Sequence, residues 1–294
     1  MAIIGNHKLL AIRTLAIGSF AASILLQLNA ILGGAPHPYI AYGPQPYIFI
    51  LFVAGQSILQ VYWLMQLFPR EVQEPASISL LSDEDDSDKA SDATQVAGPF
   101  DIDATQLAYS PIFVLSNICL SVWSYFWSWE RYAACQVTLI VNTSVQLYAV
   151  YALLHSLYNV PQENGNVRTH ILSKTSTGIA ILYMWKTWGI VDKTTAPAFS
   201  EKLQTTIFFL LLTLASGPDP TLGICLTCDL VAMILGPHQV PEWHTAFMYM
   251  AFIIAIVTAA DCYMDARRRV GMAPRIPATE TVAVPDNDGS PSSS

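Results

Sequence analysis

Residues Leu9–Leu32 read LLAIRTLAIGSFAASILLQLNAIL and contain one charged residue, Arg13. An α-helix needs about 20 mainly apolar residues to cross ~30 Å of hydrocarbon, so this run is long enough to span a bilayer. Comparable runs follow at Tyr47–Phe68, Leu107–Trp129, Tyr132–Leu157, Ile171–Val191 and Trp243–Tyr263. The sequence therefore predicts an all-α protein, a polytopic transmembrane helical bundle.

Two shorter apolar runs, Leu203–Ser216 and Thr221–Leu235, are separated by Gly217-Pro218-Asp219-Pro220. At ~1.5 Å per residue each run is about 21–23 Å long, which is short for a complete crossing. We expect two full crossings here, which gives about eight spans. A re-entrant hairpin that enters and leaves on one side is the alternative, and it gives six full crossings.

The composition excludes most soluble functions. Of the 294 residues, 53% are hydrophobic and only 12% are charged, whereas a typical globular domain is about 25% charged. This balance argues against a water-soluble enzyme and makes the lipid bilayer the expected partner. The sequence pI near 5.1 argues against nucleic acid as a partner.

The negative charge is concentrated in one segment. Residues 71–103 carry ten of the 22 acidic residues and one base, Lys89. Such a segment, rich in Ser, Asp and Glu, is typical of a disordered linker. We therefore divide the chain into spans 1–2 (1–70), an acidic disordered cytosolic loop (71–106), spans 3–8 (107–266) and a disordered cytosolic tail (267–294).

The distribution of Lys and Arg predicts that both termini are cytosolic. With eight spans, one side holds nine bases: Lys8, Arg13, Arg70, Lys89, Arg168, Arg267, Arg268, Arg269 and Arg275. The other side holds Arg131, Lys193 and Lys202. The first run continues past any cleavage-like site and is interpreted as a retained helix rather than a signal peptide. The span lengths fit both the plasma membrane and the endoplasmic reticulum.

Polar and aromatic residues within the second to fourth spans predict a ligand pocket among spans two to five. Thr138, Asn142 and Gln146 are spaced four apart and share one helix face, and polar side chains in a span usually face the bundle interior. The full candidate set is Gln56, Gln60, Trp63, Asn117, Trp123, Thr138, Asn142 and Gln146. The alternative is that these side chains form interhelical hydrogen bonds without enclosing a cavity.

Asp229 is the strongest candidate for chemistry, because it lies in the middle of the short seventh span. An uncompensated Asp there costs about 2.5–3.5 kcal/mol on insertion scales. It must therefore be paired, protonated or in contact with water. Lys186, between Trp185 and Trp188, is interpreted as an anchor at the membrane interface.

No metal or cofactor site is predicted. Cys225 and Cys228 form a Cys-x-x-Cys pair, but a zinc site needs further ligands, and the six histidines lack metal-ligand spacing. The chain has no Gly-x-Ser-x-Gly elbow, no phosphate-binding loop and no His-Glu-x-x-His motif.

Two segments resemble the tryptophan-rich sensory, or translocator-like, membrane proteins. Pro46-Tyr47-x-Phe49 opens an aromatic-rich helix, and Ser110-Pro111-Ile112-Phe113-x-x-Ser116-Asn117 precedes Trp123 and Trp127. The acidic loop after the second span further resembles a group of fungal multi-pass membrane proteins of unknown function. The resemblance covers about residues 40–190 and implies a helical bundle with a central pocket for a porphyrin- or sterol-like ligand.

Two functions follow from these observations. The first is a non-enzymatic binder, sensor or carrier of a hydrophobic small molecule. The alternative is a membrane-embedded enzyme of lipid or specialised metabolism, of the cyclase or isomerase type, in which Asp229 is a buried general acid.

Overall fold

The computed structural model describes residues 6–32, 40–68, 104–154, 164–191, 196–215 and 220–272. Over these ranges it is all-helical, with a single isolated β-bridge between Tyr42 and His238. The eight α-helices are α1 (Asn6–Leu32), α2 (Pro46–Gln66), α3 (Ala104–Ser128), α4 (Tyr132–Tyr148), α5 (Asn164–Val191), α6 (Phe199–Ala215), α7 (Thr221–Ile234) and α8 (Pro241–Met272). A π-helical turn, Ala149–Leu153, extends α4.

The described helices follow the predicted apolar runs, with differences at their ends. α3 begins at Ala104, inside the segment assigned to the acidic loop, and α8 continues to Met272, into the segment assigned to the tail. Residues 71–103 and 273–294, for which we predicted disorder, lie outside the described residues.

Within the described part of the chain, five helical segments are long and apolar enough to cross a membrane: His7–Ala30, Pro46–Gln66, Ala104–Ser128, Tyr132–Leu153 and Pro241–Arg267. Many large apolar side chains on these helices point outwards; Leu25, Leu51 and Phe252 are each 68% exposed. Several polar side chains are buried instead. A helical membrane protein is expected to have apolar side chains on its outer surface and polar side chains in its interior.

α5 lies at the centre of the bundle, packed against α2, α3, α4 and α7. At 28 residues it is long enough to cross a membrane, but it is not among the helices apolar enough to do so. Several of its buried residues are polar, among them Thr169, Ser173, Thr177 and Thr187. A helix that is surrounded by other helices satisfies these groups through its neighbours. It therefore needs less apolar surface than a helix that faces lipid.

Residues 40–45 form an extended segment, here called the strap, which crosses one end of the bundle. Ala41 N–H donates to the carbonyl of Gly189 (2.9 Å), and Gln45 N–H donates to that of Ala232 (2.8 Å). These bonds satisfy carbonyl groups in the last turns of α5 and α7, which lack partners within their own helices. Residues 41–44 are buried. We call this end of the molecule the strap end.

The two short helices extend far from the strap end. The hydroxyl of Tyr151 donates to the carbonyl of Leu212 on α6 (2.9 Å). Tyr151 is 19 residues past the start of α4 at Tyr132, a distance of about 28 Å along a helix. On α7, a Cβ at Gly223 would lie 2.6 Å from Thr258 Oγ1, so α7 packs closely on α8 about 25 Å from the start of α8.

Candidate functional site

A groove of about 290 Å³ opens between α5, α6 and α8. Its apolar walls are formed by Met184, Trp185, Trp188, Phe208 and Trp243. Its polar edge is formed by Glu201, Gln204 and Thr205. The groove lies at the strap end, because it includes the last two turns of α5 and the first turns of α6 and α8.

Helical spacing explains why these residues meet. Trp185 and Trp188 are three apart on α5, and Glu201, Thr205 and Phe208 follow at intervals of four and three on α6. Residues three and four apart lie on one face of a helix. Each helix therefore presents one continuous strip to the groove.

Trp185 is the centre of the aromatic wall. Its ring centre lies 6.3 Å from that of Trp188 and 6.3 Å from that of Trp243, with interplanar angles of 36° and 64°. Trp243 stacks in turn on Phe247, at 5.4 Å. Trp188 is 44% exposed, whereas Trp243 is buried. The aromatic wall is thus buried at Trp243 and exposed at Trp188.

The polar edge is held by the start of α6. The carboxylate of Glu201 accepts a hydrogen bond from Ala198 N–H through Oε2 (2.9 Å). This bond satisfies a backbone donor at the helix start and restrains the side chain. Glu201 is the one ionisable side chain among those lining the groove. The groove can therefore enclose an apolar body and contact a polar head with Glu201, Gln204 and Thr205.

Two residues that line the groove, Trp185 and Trp243, have buried indole N–H groups with no hydrogen-bond acceptor among the described residues. A buried unsatisfied donor costs about 1–3 kcal/mol. Buried Trp side chains usually find a partner, so the groove includes two indoles whose hydrogen-bonding capacity the described residues leave unused.

Several residues of the predicted pocket form hydrogen bonds between helices. Gln56 Nε2 donates to Ser176 Oγ (2.6 Å), and Gln146 Oε1 accepts from the hydroxyl of Tyr109 (3.1 Å). The indole N–H of Trp63 donates to Thr169 Oγ1 (3.1 Å), and that of Trp123 to Thr187 Oγ1 (3.2 Å). These bonds connect α2 and α3 to α5, and α3 to α4.

The other four residues differ from one another. Asn117 Nδ2 and Thr138 Oγ1 donate to carbonyls of their own helices, at Phe113 and Ala134. Gln60 is buried. Asn142 is also buried, and neither its amide nitrogen nor its oxygen has a partner among the residues described. The predicted pocket among spans two to five stays a prediction, with Asn142 as its unsatisfied polar group.

Asp229 is buried on α7, and its Oδ2 has no hydrogen-bond partner in the described part of the chain. It faces α5, where a Cβ on Gly178 would lie 3.7 Å from Oδ2 and 2.7 Å from the Cβ of Cys225. The absence of a side chain at Gly178 is what lets the two helices approach this closely. Asp229 does not line the aromatic groove.

Lys186 points away from the groove and into an aromatic cage. Its Nζ lies 4.2 Å from the ring centre of Phe49, 4.7 Å from that of Trp127 and 5.8 Å from that of Trp123. Cation–π contacts of this kind contribute about 0.5–2 kcal/mol. The rings that hold the ammonium come from α2 and α3, so Lys186 ties three helices together at the strap end.

His238 and His244 form a pair on either side of the start of α8, with ring centres 5.2 Å apart. His238 Nε2 contacts the carbonyl of Ile234 at 3.2 Å. Burial lowers the pKa of His238 below its ordinary value of 6.5, and the neighbouring His244 acts in the same direction. The described residues contain no group of three or more potential metal ligands.

No protein-family model, curated protein or solved structure matches the chain. Function is therefore inferred from the arrangement of the site alone. Glu201, Gln204 and Phe208 were not selected from the sequence. The signal that the sequence offers for them is their spacing of three and four residues, which places them on one face of α6.

Proposed function

We propose that the protein is an integral membrane protein that binds or carries a hydrophobic small molecule without transforming it. The supporting observation is the aromatic groove, which combines apolar walls, a polar edge and two lining tryptophans whose indole N–H groups are unsatisfied among the described residues. Ligand sites are typically concave and apolar, with few polar groups and volumes of about 300–1,000 Å³. At about 290 Å³ the groove suits a slender ligand or one end of a longer one.

The topology proposed with this function has eight crossings and both termini in the cytosol. The depth reached by α6 and α7, given by the Tyr151–Leu212 and Gly223–Thr258 contacts, supports crossing over a shallow hairpin. The groove then lies on the non-cytosolic side. Accessibility of single cysteines introduced at 89 and at 131 tests the orientation: we expect labelling from opposite sides, and labelling from one side contradicts it.

Photolabelling tests the binding site. The full chain in dodecyl maltoside micelles is irradiated with a dodecan-1-ol that carries a diazirine on its alkyl chain, with and without excess unlabelled dodecanol. We expect saturable labelling of peptides that contain Trp188 or Phe208. Trp188→Ala should reduce this labelling, whereas Trp129→Ala, which removes an exposed indole at the same end of the bundle, should not.

The pocket among spans two to five is the second proposed location, supported by the unsatisfied amide of Asn142. The photolabelling experiment distinguishes the groove from the pocket among spans two to five. Saturable labelling near Asn142 and none at the groove places the ligand among spans two to five, as the tryptophan-rich sensory resemblance implies. Labelling that excess dodecanol does not displace at either place contradicts binding.

A membrane-embedded enzyme that uses Asp229 is the second candidate function. The favouring observation is that Asp229 is buried with Oδ2 unsatisfied among the described residues. Metabolite extracts of cells that produce the natural chain and Asp229→Asn test it. A product that appears with the natural chain and disappears with the variant at equal protein level supports catalysis, and identical extracts contradict it.

A further inference from the structure

We infer that the aromatic groove recognises a quaternary ammonium group, carried on an alkyl chain or a lipid. This inference rests on the proposed binding function and names the class of ligand. Two sources share this chemistry: the choline headgroup of a membrane lipid and a free cationic amphiphile.

The aromatic wall provides the first part of the recognition. Quaternary ammonium groups bind over the faces of aromatic rings, best over Trp, and several rings together form a cage. Trp188 and Trp243 each lie 6.3 Å from Trp185, and their planes are inclined to it rather than parallel. The indoles therefore present angled surfaces to the groove instead of one flat wall.

Charge complementarity provides the second part. Glu201 lines the groove, and its backbone hydrogen bond at the start of α6 restrains the carboxylate there. The neighbouring cation on α5 does not compete, because the ammonium of Lys186 is held by Phe49 and Trp127 on another side of the helix. A cation in the groove thus meets one negative charge and no positive side chain among the lining residues.

The depth of the site fits a permanent charge. Trp185 lies six residues, about 9 Å, before the end of α5, and Glu201 and Trp243 are each the third residue of their helices. Tryptophan is enriched where the bilayer meets water. A quaternary ammonium cannot lose its charge, so this interfacial level suits its head while the alkyl chain extends towards the hydrocarbon.

Competition with the diazirine dodecanol in dodecyl maltoside micelles tests the inference. We expect dodecyltrimethylammonium to displace the probe at about one tenth of the concentration of dodecanol, since the two compounds share a chain and differ in the head. In Glu201→Gln, which keeps an acceptor for Ala198, this advantage should fall about threefold or more. Glu242→Gln is the matched control, because Glu242 adjoins Trp243 in sequence but does not line the groove.

The source is then distinguished in nanodiscs. Weaker probe labelling in phosphatidylcholine than in phosphatidylethanolamine discs identifies the lipid headgroup as the ligand. Equal labelling in both, with displacement by added dodecyltrimethylammonium, identifies a free amphiphile. If dodecanol displaces the probe and the cation has no advantage, the inference is wrong and the proposed binding function stands. If neither compound displaces the probe, the proposed function is wrong as well.

Discussion

Gly189, near the end of α5, lies directly against the backbone carbonyl of Tyr42 in the strap. A Cβ built at this position would overlap that carbonyl oxygen. The same place carries the hydrogen bond from Ala41 N–H to the carbonyl of Gly189. The strap is thus held by a backbone contact that only glycine permits.

Gly189→Ala is expected to displace the strap and destabilise the protein by about 2 kcal/mol, the middle of the usual range for overpacking. The measurement is the free energy of unfolding in mixed micelles. Gly55→Ala on α2 is the matched control, because a Cβ there meets nothing within 4 Å. It should stabilise the helix by about 0.5–1 kcal/mol. Equal changes in the free energy of unfolding for Gly189→Ala and Gly55→Ala would contradict the close contact between Gly189 and the strap.

Gln56→Leu tests the hydrogen bond between α2 and α5. Gln56 Nε2 donates to Ser176 Oγ at 2.6 Å, and both residues are buried. Interhelical bonds of this kind average about 0.6 kcal/mol and reach about 1.7 kcal/mol, so we expect a loss near 1 kcal/mol. The coupling energy follows from a double-mutant cycle with Ser176→Ala. Ser57→Ala is the control, because the Ser57 hydroxyl donates to the carbonyl of Val53 in its own helix. A cycle that combines Ser57→Ala with Ser176→Ala should give no coupling energy.

The sequence predicts the helices well because the signal for each one is local. Every long apolar run coincides with a described helix, and the short runs before and after Gly217-Pro218-Asp219-Pro220 correspond to α6 and α7. The ends are less well predicted. α5 begins at Asn164, seven residues before the apolar run at Ile171, because its first turns are polar.

The strap and the groove depend on contacts between distant parts of the chain, which periodicity does not encode. Ala41 and Gly189 are 148 residues apart, and no local pattern announces their hydrogen bond. The groove is not predictable from the sequence for a related reason. Glu201 and Gln204 lie in the first two turns of α6, where polar residues are ordinary. Only the packing of α6 against α5 and α8 makes them part of a site.

Acidification is expected to weaken the strap end through His238. Because burial lowers its pKa in the folded protein, His238 binds a proton more readily in the unfolded chain, where the ordinary value is 6.5. Its favourable contribution is present above about pH 6.5 and is lost as the pH falls through 6.5 towards the lower folded value. Melting temperatures from pH 8 to pH 5 measure this loss.

His238→Gln should flatten that pH dependence, whereas His7→Gln, at an exposed position on α1, should leave it unchanged. Identical slopes for His238→Gln and the natural chain would assign the pH dependence to other groups. A reduced pH dependence of the melting temperature in His7→Gln would likewise show that groups other than His238 contribute to it.

Asp229→Asn is expected to raise the free energy of unfolding by about 1 kcal/mol, because a carboxyl group in a span must either bury its charge or take up a proton, and the amide of nearly equal size avoids both costs. The carboxylate is buried against Gly178, and Oδ2 has no partner among the described residues to offset that cost. Asp261→Asn on α8 is the control: that side chain is only half-buried, and its replacement should change stability by less than about 0.5 kcal/mol. Unfolding monitored by intrinsic fluorescence in mixed micelles gives both values. A loss of stability in Asp229→Asn larger than in the control would show that the carboxylate is held by a favourable partner, and the basis for treating it as an unsatisfied acid would then be wrong.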